Sequence, residues 1–95
     1  MAAYLIANLT VTDPAGFEDY RQRVPATIEQ YGGRYLVRGG AHEVVEGYWQ
    51  PTRVVVLEFP TMAQLKRWYD SEEYRPLRAL RFRTARTDVV AVEGV

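Results

Sequence analysis

Two stretches of this chain, Ala3-Tyr-Leu-Ile-Ala-Asn-Leu-Thr-Val11 and Arg53-Val-Val-Val-Leu-Glu-Phe59, are apolar on both phases of a strand's alternation. Successive side chains of a strand point to opposite faces, so each stretch reads as a strand that must be covered on both sides. The chain has 95 residues, enough for one hydrophobic core in a single domain spanning residues 1–95 but too few to cover every apolar surface by itself. The second cover has to come from somewhere else.

The segments between these strands read as helices. Asp13 followed by Pro14 is a cap and a first helical residue, and Phe17, Tyr20, Val24, Ile28 and Tyr31 follow at steps of three and four, one buried stripe of an amphipathic helix. Pro25 lies inside that stripe and predicts a kink or an opened turn, and Gly32-Gly33 predicts a left-handed terminus. Thr61 and Gln64 have the spacing of a capping box ahead of Met62, Leu65 and Trp68, so a second helix begins there. It ends near Asp70-Ser71 and restarts at Pro76, carrying Leu77, Leu80 and Phe82 inward. Arg34–Arg38 is a strand that pauses at Gly39-Gly40 and resumes through His42 to Tyr48, bent at the glycine pair. Thr87–Glu93 is the last strand.

The order strand, helix, strand, strand, helix, strand implies an α+β fold of the ferredoxin-like βαββαβ type. Its four-stranded antiparallel sheet carries the helices on one face. The other face would be a large exposed apolar patch, which soluble monomers rarely tolerate. A second copy packed sheet to sheet about a two-fold axis is the simplest cover, so the chain is expected to be a homodimer through its sheet face.

Composition narrows the function. Twelve basic and twelve acidic residues cancel, so no net field favours nucleic acid or an anionic membrane. The one basic run, Arg75 to Arg86, holds five arginines and no acid and reads as a solvated helix face or an anion site in preference to a polynucleotide groove. There is no cysteine and only one histidine, which removes disulfides, thiolate metal sites and a cysteine nucleophile. No basic leader and no membrane-length apolar run occur, so the expected location is cytoplasmic. Phosphate loops, nucleotide fingerprints and nucleophile–base pairs are also missing. A catalyst built from these residues would work by positioning and electrostatics, without a tightly bound cofactor.

Several short features together resemble the bacterial domain of unknown function 1330 family, within the dimeric α/β barrel superfamily. They are Tyr4, Asp13-Pro14 with Phe17 and Tyr20, Gly32-Gly33-Arg34-Tyr35, Arg38-Gly39-Gly40, Glu46-Gly47 with Trp49, Val55-Val-Leu-Glu-Phe-Pro60, and Trp68-Tyr69 with Ser71, Glu73, Tyr74 and Arg81. The resemblance covers essentially the whole chain. It implies a dimer whose sheets form a barrel, with a pocket between sheet and helices in each subunit. The superfamily includes cofactor-free monooxygenases acting on aromatic polyketides, heme-degrading enzymes, peroxidases and lactone isomerases, so the fold alone selects no reaction.

The chemistry-bearing candidates follow from the residues. His42 is the one side chain here of a type whose unperturbed pKa lies near neutrality, and it follows a glycine pair that can re-aim it, which suits a general base; its alternative is an exposed loop residue. Arg38 alternates with Leu36 and Arg34 and is a candidate anion or carbonyl clamp, the alternative being a surface ion pair with Glu46 or Glu58. Glu58, in phase with Val54 and Val56, is a base if its pKa is raised and a structural partner of an arginine if not. Asn8 interrupts the first strand and can orient a ligand oxygen or satisfy backbone. Trp68, Tyr69 and Tyr74, with Arg78 and Arg81, combine aromatic walls and cations suited to a flat, electron-rich or anionic molecule. For Trp68 and Tyr74 the alternative is core packing.

Arg38, His42 and Tyr74 are thus the catalytic candidates, and Asn8, Glu58, Trp68 and Arg81 the substrate-binding ones. The reading is a small dimeric protein that binds or transforms an aromatic or enolisable molecule as a monooxygenase, isomerase or cyclase. A non-catalytic ligand-binding or purely structural dimerisation module is the alternative.

Overall fold

The computed structural model describes residues 1–95. Strand β1 (Ala3–Val11), helix α1 (Pro14–Gln30), β2 (Arg34–Arg38), β3 (Val54–Phe59), α2 (Met62–Tyr69), α3 (Arg75–Thr84) and β4 (Ala85–Glu93) follow in chain order. The sheet order is β2-β3-β1-β4, every neighbour antiparallel. This is the ferredoxin-like arrangement, with the second helical leg divided into α2 and α3.

The local chemistry at the helix ends is as the residues predict. Asp13 accepts from the Gly16 N–H at 3.2 Å with Pro14 opening α1. At the other end Gly32, at φ +80°, lets its own N–H reach Glu29 O and lets the Gly33 N–H reach Ile28 O, the paired bonds of a Schellman terminus. Thr61 caps α2 through the Gln64 N–H, but the Gln64 amide reaches Tyr31 O instead of closing the box. That contact ties the start of α2 to the end of α1.

Pro25 does not interrupt α1, which is helical from Pro14 to Gln30. The proline has no N–H for the Arg21 carbonyl one turn earlier. That carbonyl instead accepts from Arg38 Nη2 at 2.8 Å. An arginine from β2 supplies the donor that the helix lacks.

The core lies between the helices and one sheet face. Leu5, Ala7, Leu9, Leu57 and Phe59 come from the sheet, and Phe17, Tyr20, Val24, Ile28, Leu65, Trp68 and Leu77 from the helices. On the opposite face Tyr4, Ile6, Val54 and Val56 are only half-covered, and Val37, Val90 and Val92 are exposed. Each apolar phase read in the sequence is thus present, and one of them has no cover within the chain.

Three expectations are corrected. The second strand does not resume after the glycine pair: β2 ends at Arg38, and 41–49 carries no strand and is exposed, including Val45, Tyr48 and Trp49. β2 is an edge strand; β3 pairs with 34–38 on that side and with β1 on the other, so nothing is left for a continuation to bond. The bulge is not at Gly39-Gly40 either; the register shifts between Tyr35 and Val37. One extra residue there turns later side chains to the other face, so Arg38 shares a face with Tyr35 and not with Arg34. Phe82 points outward, 62% exposed, and the buried position of that helical turn is Arg81.

Candidate functional site

A narrow cleft of about 50 Å³ lies between the helix-side sheet face and α1, α2 and α3. Leu5, Ala7, Leu9, Val55 and Leu57 form its floor, and Phe17, Val24, Ile28 and Trp68 its walls. Its polar lining consists of four arginines, Arg21, Arg38, Arg53 and Arg81, and four tyrosines, Tyr20, Tyr35, Tyr69 and Tyr74, with no Asp, Glu or His.

The inner end is built around Tyr74. Ser71, buried after α2, accepts from the Tyr74 N–H and donates to Trp68 O, which folds the α2–α3 turn so that the Tyr74 ring stacks on Trp68 with centroids 4.1 Å apart. Trp68 Nε1 donates to Thr27 Oγ1 at 3.0 Å, and Thr27 donates to Val24 O, so the indole is held at both its ring and its N–H. Tyr74 Oη lies 2.8 Å from Tyr20 Oη and accepts from Arg81 Nε at 3.2 Å. Arg81 also donates to Thr87 Oγ1 and, at 3.5 Å, to Tyr69 Oη.

Arg81 is only 4% exposed and no carboxylate pairs with it. Burial works against its charge, but the oxygens of Tyr74 and Tyr20 outweigh that and hold its pKa up. Burial, reinforced by Tyr74, drives the Tyr20 phenol well above its ordinary range, so Tyr20 is a neutral hydroxyl able to donate. The inner end therefore presents a cation and a hydrogen-bond chain to an apolar slot, an arrangement that favours negative charge on a bound oxygen.

The outer end holds the exposed Arg38, its guanidinium 4.6 Å from the Tyr35 ring centroid, together with Arg21 and Arg53. Arg21 is committed to Glu18 at 2.8 Å, and that contact draws the Glu18 pKa down to about 2. Arg38 has no carboxylate partner.

Of the residues singled out from the sequence, Arg38, Trp68, Tyr74 and Arg81 come together at this cleft. The other three do not line it. His42 sits on the exposed loop after β2 with Nε2 2.9 Å from Pro51 O. Asn8 turns its Oδ1 to the backbone N–H groups of Thr52 and Arg53, fixing the start of β3. Glu58 pairs with Arg34 at 2.7 Å on the opposite sheet face, and this hydrogen bond lowers its pKa instead of raising it. The basic run divides as well: Arg75 pairs with Glu72 and Arg78 with Asp70, while Arg81 turns inward. No group of three His, Cys, Asp or Glu side chains is placed to hold a metal ion.

Two further lining residues carry a signal in the sequence. Tyr20 lies in the buried stripe of α1, and a buried phenol needs a partner for its hydroxyl. Arg53 is in phase with Val55, Leu57 and Phe59, and a charged residue in step with a core face demands an explanation.

Over residues 2–95 the sequence matches the family model described as domain of unknown function (DUF1330). The chain belongs to that family. No curated protein matches this DUF1330 chain. Among solved structures, a protein of unknown function from Rhodopseudomonas palustris is similar in fold, with a TM-score of 0.79 at 13% identity over 99% of this chain and 82% of its own. SnoaB, a cofactor-independent oxygenase from Streptomyces nogalater, superposes with a TM-score of 0.69 at 13% identity, covering 99% and 93%. A dimeric ferredoxin-like protein of unknown function from Jannaschia sp. CCS1 gives 0.67 at 13% identity, covering 99% and 100%. At such identities the likeness concerns the fold.

Proposed function

We propose that this DUF1330 protein binds a small planar molecule bearing a phenolic or enolic oxygen, seated between Trp68 and the sheet with that oxygen toward Tyr20 and Arg81. The observation that carries the reading is the buried Arg81 without a carboxylate, in a cleft whose polar lining is wholly guanidinium and phenol. A buried cation is costly unless it is compensated, and an oxyanion supplied by a ligand is the compensation this cleft can receive.

Arg81 Nε donates to Tyr74 Oη, and the Tyr74 and Tyr20 hydroxyls share one hydrogen bond in which either can be the donor; with Tyr74 as donor, the Tyr20 hydroxyl is left to donate to the ligand. Such donors stabilise an enolate or phenolate, the electron-rich form in which an organic substrate reacts without a tightly bound cofactor. The fold shared with SnoaB, whose description is a cofactor-independent oxygenase, supports this by analogy only. A second reading, ligand binding without turnover, is favoured by the lack of any lining Asp, Glu or His that could serve as a base. In either reading a ligand acidic enough to ionise without a base suits the site best.

Isothermal titration with 2-naphthol tests the reading. Saturable binding is expected, with a melting temperature that rises with ligand concentration. No binding and no thermal shift would leave the structural-module reading in possession.

The same reading includes a homodimer formed through the outer sheet face, with Tyr4, Ile6, Val54, Val56, Val90 and Val92 at its centre. The apolar phase left without cover supports it, as does the dimeric state in the description of the Jannaschia protein. Ile6→Glu, which puts a charge at the middle of that face, is expected to weaken self-association at least about tenfold, the cost of an unpaired buried charge. Light scattering across a dilution series measures it, and a wild-type monomer at micromolar concentration would sink the dimer.

A further inference from the structure

We propose that Arg53 is the anchor for a carboxylate at the outer end of the cleft, so that the ligand class is a planar apolar hydroxy acid with its two polar groups at opposite ends. The inference deepens the reading of the cleft given above and rests on it.

The guanidinium has a built seat. Its backbone is pinned on both sides by β1, the N–H donating to Asn8 Oδ1 at 3.2 Å and the carbonyl accepting from Leu9 N at 2.9 Å. Its side chain lies over Gly39, where a Cβ would stand 2.5 Å from Nη1 and 2.6 Å from Cζ. Gly39 also sits at φ +69° and donates its N–H to Val54 O. The backbone conformation at this position therefore favours glycine, and a Cβ there would displace the Arg53 guanidinium from its seat. The glycine that ends β2 makes room for an arginine that enters at β3.

That seated group lacks an acceptor. Arg53 Nε is the one buried side-chain nitrogen or oxygen in the protein without a hydrogen-bond partner, and Arg53 forms no ion pair. Nearly all buried donors are satisfied in folded proteins, and a planar guanidinium is shaped for two-point contact with a carboxylate. Arg38 lines the same end and has no carboxylate either, its position set by the Arg21 carbonyl that Pro25 leaves open. Arg81 and Tyr20 form a separate polar end, and the lining between the ends is apolar. Two anion-seeking ends on one apolar slot select a molecule with an acidic group at one end and a hydroxyl or enol at the other.

Isothermal titration of the wild-type protein and of Arg53→Gln with a matched pair, 6-hydroxy-2-naphthoate and 2-naphthol, provides the test. Wild type is expected to bind the hydroxynaphthoate at least about tenfold more tightly than the naphthol, the gain of a charge-assisted contact. Arg53→Gln should erase that preference by weakening hydroxynaphthoate binding at least about tenfold more than naphthol binding, since only the former brings a carboxylate to the guanidinium. Wild type that binds both equally, or a variant that keeps the preference, overturns this inference alone. Wild type that binds neither overturns it together with the reading of the cleft. The comparison of the two ligands on wild type does not depend on how well the variant folds.

Discussion

Arg81→Met is expected to reduce affinity for 2-naphthol by about one to two orders of magnitude, the value of a hydrogen bond to a charged group, while leaving the melting temperature unchanged or higher. The two effects separate because Arg81 is a poor structural element. It is 4% exposed, donates hydrogen bonds only to hydroxyl groups, and pairs with no carboxylate. Replacing buried charged groups with apolar side chains of similar volume is often neutral or stabilising. Tyr20 and Tyr74 keep each other as partners at 2.8 Å after the change, and the phenol that loses its partner, Tyr69, loses only a 3.5 Å contact. Titration calorimetry and thermal melts on the same samples measure both quantities. A marked loss of stability with ligand affinity intact would assign Arg81 to the framework and remove it from the site.

Trp68→Ala is expected to cost roughly 3–5 kcal/mol, the usual range for a large aromatic cut from a core. That is a large share of the about 5–15 kcal/mol available to a small domain. Trp68 is 2% exposed, stacks on Tyr74, meets Phe59 and Tyr69, and donates to Thr27. Its removal opens a cavity between α1 and α2 and frees the Tyr74 ring on which the Tyr20 and Arg81 contacts depend. Urea denaturation should show a midpoint shifted strongly downward with little change in slope, or a chain already unfolded in buffer. Trp68→Phe, which retains a ring but not the N–H, should recover most of the loss. A small effect of Trp68→Ala would mean that the ring packs loosely and that the inner end of the cleft is not held as described.

These outcomes bear on different parts of the molecule, and the parts were unequally legible. Where a property depends on near neighbours in the chain, the residues state it. The Asp13-Pro14 start of α1, its Gly32-Gly33 end and the Thr61 cap are each realised, because capping and left-handed turns are decided within a few residues. The two-phase apolarity of β1 and β3, with the order of elements, was enough for the sheet and for the face left without cover.

The candidate site was legible only in pieces. Arg38, Trp68, Tyr74 and Arg81 were recognisable as chemistry-bearing, but His42, Asn8 and Glu58 looked equally suitable, and the fold sends those three elsewhere. Strict alternation grouped Arg38 with Arg34. A single extra residue between Tyr35 and Val37 reverses that, and no local residue type announces the reversal, because a bulge is a property of the pairing between two strands.

By itself, then, the sequence determined the helix termini, the succession of strands and helices, and the presence of two apolar sheet faces, since all of these follow from spacing along the chain. Tertiary structure alone decided that Arg81 is buried without a counter-ion, that Arg53 rests on Gly39 without an acceptor, and that Arg38 answers the carbonyl left open by Pro25. Each of those is a contact between residues distant in the chain, and what a charged side chain costs or can bind depends on which groups the fold sets around it.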